Sequence, residues 1–192
     1  MLIGVLALQG DFFEHQNILA SLGVESRQVR LAGDLADAQG LIIPGGESTT
    51  IGKLAHDFGL LEPLRDFARQ HAVWGTCAGS IFLSRDARRS QPLLEVMDIR
   101  VERNAFGRQV DSFEIDLEVP DLDSVSDIRA PFRAVFIRAP LIEKVENDAY
   151  SLASLPDGRI VAARQGHLLA TSFHPELYAD DRFHRYFLEM AK

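Results

Sequence analysis

The single cysteine of this chain, Cys77, lies between two glycines within residues 75–79, G-T-C-A-G. Residues 72–74 are typical of a short buried strand, and residues 80–83 are typical of the first turn of a helix. A nucleophile with a glycine two residues before and after it, on a strand-to-helix turn, matches a nucleophile elbow. The helix N-terminus would favour a thiolate there. The alternative is that Cys77 is a small buried hydrophobic residue, as most free cysteines are.

A candidate base follows the strand predicted at residues 168–172, where His174 and Glu176 stand on either side of Pro175. In an extended chain residues i and i+2 point to the same side, so we expect the imidazole and the carboxylate to lie side by side. The carboxylate would accept a hydrogen bond from one ring nitrogen, which leaves the other nitrogen free to take the thiol proton. Cys77, His174 and Glu176 are therefore predicted to form a catalytic triad.

A third candidate element is the Pro-Gly-Gly turn that follows the apolar strand at residues 41–43. A helix is predicted after the turn, with Ser48 or Thr49 as its N-cap. A turn of this kind can present backbone N–H groups to an anion. The N–H of Gly46 and the N–H of Ala78, the residue after the nucleophile, are therefore predicted to form an oxyanion hole.

The elements that must position these residues alternate between strand and helix in the first half of the chain. Strands are predicted at 2–8, 24–29, 41–43 and from 73, and helices at 12–22, 49–58 and 60–71. This alternation indicates an α/β three-layer sandwich, with a mostly parallel central sheet and helices on both faces.

Short strands prevail after residue 99, and we expect them to extend the sheet in antiparallel fashion. They are predicted at 99–102, 112–117, 134–137, 150–155, 160–165 and 168–172. Asp157-Gly158 is predicted to form a hairpin turn, and a last helix is predicted at 181–190. A chain of this length suits a single domain over residues 1–192.

Composition limits the class of partner and the compartment. A formal net charge of −8 argues against non-specific binding of nucleic acid. No apolar run reaches the roughly 20 residues needed to cross a bilayer, and residues 1–6 lack the basic flank and the length of a signal peptide. One cysteine suits a reducing cytosol, so a cytoplasmic protein is expected. The spacing of His, Cys and acidic residues predicts no metal site, and we expect no cofactor.

The three motifs occur together, as P-G-G-E-S at 44–48, G-T-C-A-G at 75–79 and S-F-H-P-E at 172–176. In this order they resemble the class I, triad-type glutamine amidotransferases. Four further strings narrow the resemblance to the glutaminase subunits of pyridoxal 5′-phosphate synthase. They are A-L-Q-G at 7–10 followed by Glu14-His15, V-E-R-N-A-F-G-R-Q at 101–109, S-F-E at 112–114 and F-I-R-A-P at 136–140. Ser80 stands where that family usually has a bulky aliphatic residue.

The resemblance implies a reaction and the residues that perform it. Cys77 would attack the side-chain amide of L-glutamine, with His174 and Glu176 completing the triad, and the products would be ammonia and L-glutamate. The glutamine would be bound by Gly46, Glu47, Ser48, Arg103, Ile137 and Arg138. Arginine suits a substrate carboxylate because its planar fork pairs with it in bidentate fashion. The alternative for Arg103 is a salt bridge at a strand edge.

The resemblance also implies a partner, because a glutaminase domain alone would waste its ammonia. A separate pyridoxal 5′-phosphate synthase subunit is expected to receive the ammonia for vitamin B6 synthesis. We expect hydrolysis to be slow until that subunit docks, with the flexible Gly46 peptide turned away from the oxyanion. Gln9 and His15 are the candidates for the interface that senses docking, since ligands gather at the carboxyl ends of parallel strands.

Two other functions remain open from the sequence. One is the glutaminase subunit of another amidotransferase, such as imidazole glycerol phosphate synthase, which would share the cysteine elbow and the H-P-E motif. The other is a non-catalytic metabolite-binding protein on the same fold, which would be indicated by loss of the cysteine, histidine or glutamate. All three residues are present.

Overall fold

A computed structural model describes residues 1–103 and 112–192 of the chain. Its α-helices are α1 Phe12–Ser21, α2 Ser48–Asp57, α3 Leu61–Ala68, α4 Ala78–Leu83 and α5 Arg182–Met190. Its strands are β1 Leu2–Leu6, β2 Glu25–Val29, β3 Gly40–Ile43, β4 Ala72–Thr76, β5 Ser84–Asp86, β6 Met97–Glu102, β7 Ser112–Leu117, β8 Phe132–Ile137, β9 Leu141–Val145, β10 Tyr150–Ser154, β11 Ile160–Gln165 and β12 Leu168–Thr171. Within these two ranges no helix has the length and apolar character needed to span a membrane.

One large sheet organises the described residues, in the strand order β2-β1-β3-β4-β12-β11-β9-β6-β5, with β10 paired to β11. The pairs from β2 to β12 are parallel, as is β5 with β6, whereas the other pairs of this sheet are antiparallel. Strands β7 and β8 form a separate antiparallel pair. The prediction of a mostly parallel sheet with antiparallel additions is therefore confirmed, except that the strands predicted at 112–117 and 134–137 pair with each other and do not extend that sheet.

The central strands are buried on both faces, which explains their uninterrupted apolar sequences. One face of the sheet is covered by α2, α3 and α4, whose side chains join one hydrophobic cluster. The other face is covered by α1 and α5, which contribute Leu19, Phe183 and Phe187 to a second cluster. The predicted arrangement of helices on both faces is confirmed by these two clusters.

Two strands, β5 and β9, are not predicted by the sequence. β5 is only three residues long and therefore too short to show a period. β9 reads L-I-E-K-V, and Ile142 is its one fully buried residue, so the hydrophobic alternation that marks a strand is missing. The hairpin turn predicted at Asp157-Gly158 does join β10 to β11, and Gly158 adopts φ +86° there.

The strand order places the candidate motifs at one edge of the sheet. Strand β4 lies between β3 and β12, and its residue Gly75 is in register with Ile43, while Thr76 is in register with Thr171. Because these strands are parallel, their carboxyl ends meet at the same edge. The segments that follow β3, β4 and β12 are therefore neighbours, although they are far apart in the chain.

Candidate active site

Cys77 occupies the turn between β4 and α4, in the strand-turn-helix setting that the sequence predicts. Its backbone has φ +46° and ψ −106°, a conformation that residues with a Cβ rarely adopt. The flanking glycines allow this turn to be tight, because a Cβ on Gly79 would collide with the carbonyl oxygen of Ile43 and one on Gly75 would lie 2.5 Å from the Gly79 carbonyl carbon. The elbow geometry is thus imposed by close approach of β3, β4 and α4.

Hydrogen bonds on both sides hold Cys77 in this strained conformation. Its backbone N–H donates to the carbonyl of Thr171 at the end of β12, at 2.8 Å. Its carbonyl accepts from the hydroxyl of Ser80 at 2.7 Å and from the Ser80 backbone N–H at 3.1 Å. Ser80 is fully buried, so its hydroxyl forms part of the elbow instead of filling space as an aliphatic side chain would.

His174 and Glu176 are joined by a hydrogen bond of 2.6 Å between Nδ1 and Oε1, as predicted. The physical reason differs from the predicted one. The chain is not extended here but forms a 3₁₀ turn over Pro175–Leu177, and the His174 backbone N–H donates to Val135 of β8 at 2.8 Å. The turn, with proline at its first position, brings the two side chains together.

Electrostatic interactions favour a protonated imidazole. Burial acts to lower the pKa of His174, but hydrogen bonds to Cys77 and Glu176 outweigh it and raise the pKa to about 10. The pKa of His174 therefore depends on both the candidate nucleophile and the candidate orienting carboxylate. Burial raises the pKa of Glu176, while its hydrogen bond to His174 acts in the opposite direction. The arrangement suits a thiolate–imidazolium pair oriented by a carboxylate.

The loop after β3 is held by Glu47. Its carboxylate accepts a hydrogen bond from the backbone N–H of Thr50 at 2.8 Å, so Glu47 is the N-cap of α2. The prediction of Ser48 or Thr49 as the N-cap is wrong by one or two residues, because the longer Glu47 side chain reaches the first turn. The Glu47 backbone N–H donates to Oε1 of Gln9 at 2.7 Å, which ties the loop to the end of β1.

The same carboxylate pairs with Arg103, whose Nη2 lies 2.6 Å from Oε1 of Glu47. Burial acts to raise the pKa of Glu47, but hydrogen bonds from Thr49, Thr50 and Arg103 lower it to about 2. Arg103 thus does form a salt bridge, but its partner Glu47 lies on a loop and not at a strand edge. The salt bridge leaves a role in substrate binding open, since Arg103 also lines the adjacent cavity.

That cavity, of about 530 Å³, opens above these elements. Ten of the twelve residues predicted for the site line it: Gln9, Gly46, Glu47, Ser48, Cys77, Ala78, Arg103, Ile137, Arg138 and His174. The remaining two, Glu176 and His15, lie behind the cavity wall. A cavity lined by a thiol, an imidazole, carboxylate and guanidinium groups can hold a small zwitterionic molecule.

The prediction of His15 as an interface residue is wrong. Its side chain is fully buried, so it cannot face a partner. Its Nδ1 lies 3.0 Å from Nε2 of His184, and its Nε2 lies 3.4 Å from Oε2 of Glu176. His15 lies on α1, and the spacing of apolar residues in that helix does not show that the face carrying His15 packs against the sheet. Gln9, by contrast, remains at the surface of the cavity.

Sequence reasoning missed Asp11, which lines the cavity next to the predicted residues. Its Oδ2 lies 3.6 Å from Nδ1 of His174, and burial raises its pKa. Asp11, His174 and Glu176 have potential metal-ligand atoms within 4.8 Å of one another. A metal ion there would have to replace the 2.6 Å hydrogen bond between His174 and Glu176. Asp11 could have been found from its position directly after the turn that ends β1.

Comparison with known proteins decides the family. The model of the SNO glutamine amidotransferase family matches residues 5–192. The chain belongs to the SNO glutamine amidotransferase family. The resemblance that the sequence motifs indicated is thereby confirmed.

Curated relatives of this SNO family member share its whole length. The chain is 58% identical to a Dehalococcoides mccartyi protein named "Pyridoxal 5'-phosphate synthase subunit PdxT", over 100% of this chain and 98% of that protein. A protein of the same name from Herpetosiphon aurantiacus is also 58% identical, over 98% of this chain and 99% of that protein. A third, from Moorella thermoacetica, is 57% identical over 99% of both.

Solved structures agree with the fold of this SNO family member. A structure titled "Crystal structure of glutamine amidotransferase" is 49% identical, with a TM-score of 0.91 over 98% of both chains. A structure titled "Structure of PurLQS from Thermotoga maritima" superposes with a TM-score of 0.68 at 15% identity, over 100% of this chain and 98% of that one. That second likeness shows a shared fold alone.

Of the two sequence strings that narrow the resemblance most, the structure describes one in full and only the first residue of the other. The F-I-R-A-P string at 136–140 contributes Ile137, Arg138 and Pro140 to the cavity wall. Most of the R-N-x-F-G-R-Q string lies at 104–109, outside the described residues.

Proposed function

We propose that residues 1–192 form one glutaminase domain that hydrolyses L-glutamine to L-glutamate and ammonia. The ammonia passes to a separate pyridoxal 5′-phosphate synthase subunit. The observation that carries this proposal is the 58% identity, over the full chain, to a protein named as a subunit of that synthase. A catalytic thiol must stay reduced, which fits a cytoplasmic protein with one cysteine.

Cys77 and His174 perform the first half of the proposed reaction. His174 takes the thiol proton, and the thiolate of Cys77 attacks the side-chain amide carbon of glutamine, forming a carbon–sulfur bond. The backbone N–H groups of Gly46 and Ala78 stabilise the oxyanion of the tetrahedral intermediate. The imidazolium then protonates the amide nitrogen, the carbon–nitrogen bond breaks, and ammonia leaves.

Water completes the proposed cycle. His174 removes a proton from a water molecule, which attacks the glutamyl thioester on Cys77. The carbon–sulfur bond breaks, the thiolate is regenerated, and L-glutamate is released. Glu176 keeps its hydrogen bond of 2.6 Å to Nδ1 throughout, so Nε2 of His174 serves the thiol, the amide nitrogen and the water in turn.

The substrate is held by the other cavity residues. Arg103 and Arg138 offer guanidinium groups to the α-carboxylate, and the carboxylate of Glu47 offers a partner to the α-ammonium group. Gly46, Ser48 and Ile137 complete the contacts around the glutamine. The support is that all six residues line one cavity with Cys77 and His174.

Docking of the synthase subunit is proposed to switch on hydrolysis. Gly46 has φ +150°, which glycine adopts readily, so the peptide at this position can flip at low steric cost. Gln9 bonds the N–H of the next residue, Glu47, at 2.7 Å and is therefore well placed to sense a partner at the end of β1. Loss of one oxyanion donor typically costs about 10²–10³ in kcat, which is enough for an effective gate.

The test is an assay of glutamate release by the purified chain, alone and mixed with a pyridoxal 5′-phosphate synthase subunit. We expect slow release alone, faster release in the mixture, and none from the Cys77→Ala variant in either. Pyridoxal 5′-phosphate should form from glutamine in the mixture. Equal rates with and without the synthase would contradict the gate but not the glutaminase.

The same assay distinguishes the two alternatives. Activation by imidazole glycerol phosphate synthase, and not by pyridoxal 5′-phosphate synthase, would identify the glutaminase of a different amidotransferase. Binding of glutamine without release of glutamate in any mixture would identify a non-catalytic binding protein. The relatives at 57–58% identity are named as subunits of pyridoxal 5′-phosphate synthase. These names favour the proposed function over both alternatives.

A further inference from the structure

A second cluster of polar side chains lies behind the cavity and is used by none of the proposed steps. It consists of His15 on α1, Thr76 at the end of β4, and His184 on α5, grouped around Glu176. Each of the four is 7% exposed or less. Nε2 of His15 lies 3.3 Å from Oγ1 of Thr76 and 3.4 Å from Oε2 of Glu176, and Nδ1 of His15 lies 3.0 Å from Nε2 of His184.

The two oxygens of Glu176 are in different situations. Oε1 accepts the hydrogen bond from His174, whereas Oε2 is fully buried and has no hydrogen-bond partner of ordinary geometry among the described residues. A buried carboxylate oxygen without a donor is costly. Nε2 of His15 lies 3.4 Å from this oxygen, so a small rotation of either side chain would allow it to donate a hydrogen bond to Oε2.

Only one pair of tautomers satisfies this cluster. If His15 carried its proton on Nδ1, its bare Nε2 would face the carboxylate, and His184 would be left with a buried Nδ1–H that has no acceptor among the described residues. If His15 carries its proton on Nε2, that N–H can be shared between Oγ1 of Thr76 at 3.3 Å and Oε2 of Glu176 at 3.4 Å, and Nδ1 accepts from Nε2–H of His184. The Nδ1 atom of His184 is then a bare lone pair, which is less costly to leave unpaired than an N–H group.

We propose that His15 is a positioning residue for the triad, with its Nε2–H directed at Oε2 of Glu176 and its tautomer fixed by His184. His15 would thus fix the plane of the carboxylate that orients His174, and the proposal rests on the proposed triad.

The charges around Glu176 fit this role. From its own turn it faces His174, whose interaction lowers its pKa, and from the start of α1 it faces Asp11, which raises it. His15 is neutral, because burial and the nearby His184 and His174 hold its pKa well below 6.5. His184 is neutral too, since burial lowers its pKa to about 3. Both give hydrogen bonds without adding a cation that would repel the imidazolium of His174.

The test uses two amide substitutions of His15, which differ in the distance of the amide nitrogen from the backbone. Glutamine has its amide nitrogen as many bonds from the backbone as Nε2 of histidine, and asparagine has its nitrogen in the position of Nδ1. His15→Gln therefore keeps a donor towards Glu176, and His15→Asn does not. Because Cys77 is the only cysteine, its alkylation by iodoacetamide across a pH series reports the triad without substrate or partner.

We expect His15→Asn to slow alkylation by about 10–100-fold, by analogy with the loss of a hydrogen-bond partner that orients a metal-ligating histidine. The acid limb of its pH profile should move to higher pH, because Glu176 without its donor protonates more readily. His15→Gln should retain most of the rate and the original limb. Equal profiles for wild type and both variants would overturn the proposal, as would equally slow profiles for Gln and Asn in folded proteins.

A separate control keeps this result distinct from the proposed function. If His174→Gln alkylates as fast as wild type, the triad itself is wrong. If the His15 variants behave as expected but wild type hydrolyses no glutamine, the positioning role stands and the glutaminase proposal fails. Thermal unfolding of each variant identifies loss of folding, and His15→Gln is the variant expected to retain the fold.

Discussion

Glu47 and Arg103 form an ion pair, with Oε1 and Nη2 2.6 Å apart, in the wall of the cavity that also contains Cys77. Both partners of this pair are proposed to bind the two charged ends of glutamine. Within this pair the carboxylate and the guanidinium neutralise each other.

Arg103→Ala is predicted to raise KM for glutamine more than it lowers kcat. The guanidinium would bind the α-carboxylate equally in the ground state and the transition state. The loss in kcat/KM should correspond to about 1.5–3 kcal/mol, as for a hydrogen bond to a charged group. Steady-state kinetics in the presence of the synthase subunit measure it. Arg133→Ala, which removes an ion-paired arginine on β8, is the matched control, and an effect on kcat alone would show that Arg103 acts on the reacting centre or the fold.

Cys77→Ala is predicted to abolish glutamine hydrolysis while the chain stays folded, since little packing is lost. Cys77→Gly should be equally inactive but more stable than Cys77→Ala, because φ +46° and ψ −106° strain any residue with a Cβ. Relief of that strain is worth about 1–3 kcal/mol, against about 0.4–1 kcal/mol for the greater freedom of unfolded glycine. Urea unfolding of the two variants measures the difference. Residual activity in either variant would refute the assignment of the nucleophile.

The contribution of His174 to stability is predicted to fall at alkaline pH. Its pKa is raised from 6.5 to about 10 in the folded chain, so the folded state binds the proton more tightly than the unfolded state. The stabilisation is complete below the unfolded pKa and is lost as pH rises from about 6.5 towards 10. Urea unfolding of wild type and His174→Gln at several pH values should show a difference that shrinks in this window. His56→Gln, at an exposed histidine, is the matched control.

Glu47→Gln is predicted to destabilise the chain by about 1 kcal/mol at neutral pH, through the weaker N-cap of α2. The ion pair with Arg103 adds little, because 43% of the Glu47 side chain is exposed and the charges are screened. The pKa of Glu47 is lowered from 4.5 to about 2, so its contribution is present above 4.5 and is lost as pH falls towards 2. The measurement is urea unfolding of wild type and variant at neutral and acid pH. A difference independent of pH would contradict the role of the charge, and Glu62→Gln in an exposed ion pair is the control.

Gln9→Ala is predicted to weaken activation by the synthase subunit more than it changes the slow rate of the isolated chain. The variant loses the acceptor that holds the Glu47 N–H at 2.7 Å, so the loop is no longer coupled to the end of β1. Glutamate release with and without the synthase gives the ratio. Gln16→Ala, whose amide bonds Ser26 and Gln28 away from the cavity, is the matched control. Full activation of Gln9→Ala would exclude Gln9 as the sensor.

Local sequence is sufficient for the parts of the site that depend on local backbone geometry. The glycines around Cys77 predict the elbow because the turn cannot form with side chains at those positions. The alternation of strands and helices predicts the parallel sheet. Because the carboxyl ends of parallel strands lie at the same end of the sheet, the sequence also predicts that Gln9, Cys77 and His174 lie close together. Only this last inference needs a rule about whole folds, namely that sites form at the carboxyl ends of parallel strands.

The remaining features depend on contacts between distant segments. The surface prediction for His15 fails because nothing in its neighbours along the chain shows that α1 presents it to Glu176 and to α5. Strand β9 is hidden because Glu143 and Lys144 interrupt its apolar pattern, and its pairing with β6 and β11 decides its conformation. The predicted N-cap of α2 is misplaced because a glutamate reaches Thr50 only when the loop geometry brings it close.

The insertion of β12 between β4 and β11 bears on how the chain is made. Ribosomes add about 5–20 residues per second, so β4 is complete several seconds before β12 leaves the exit tunnel. During that interval the edge of β4 that later pairs with β12 is unpaired, on a strand that is fully buried in the folded chain, and such an edge can capture other strands. No nascent chain can hold the thiol and the imidazole together in that interval. Cys77 is therefore synthesised well before the histidine that would activate it. Strand β12 then covers the exposed edge of β4, and the His174 that follows it completes the site at the same stage.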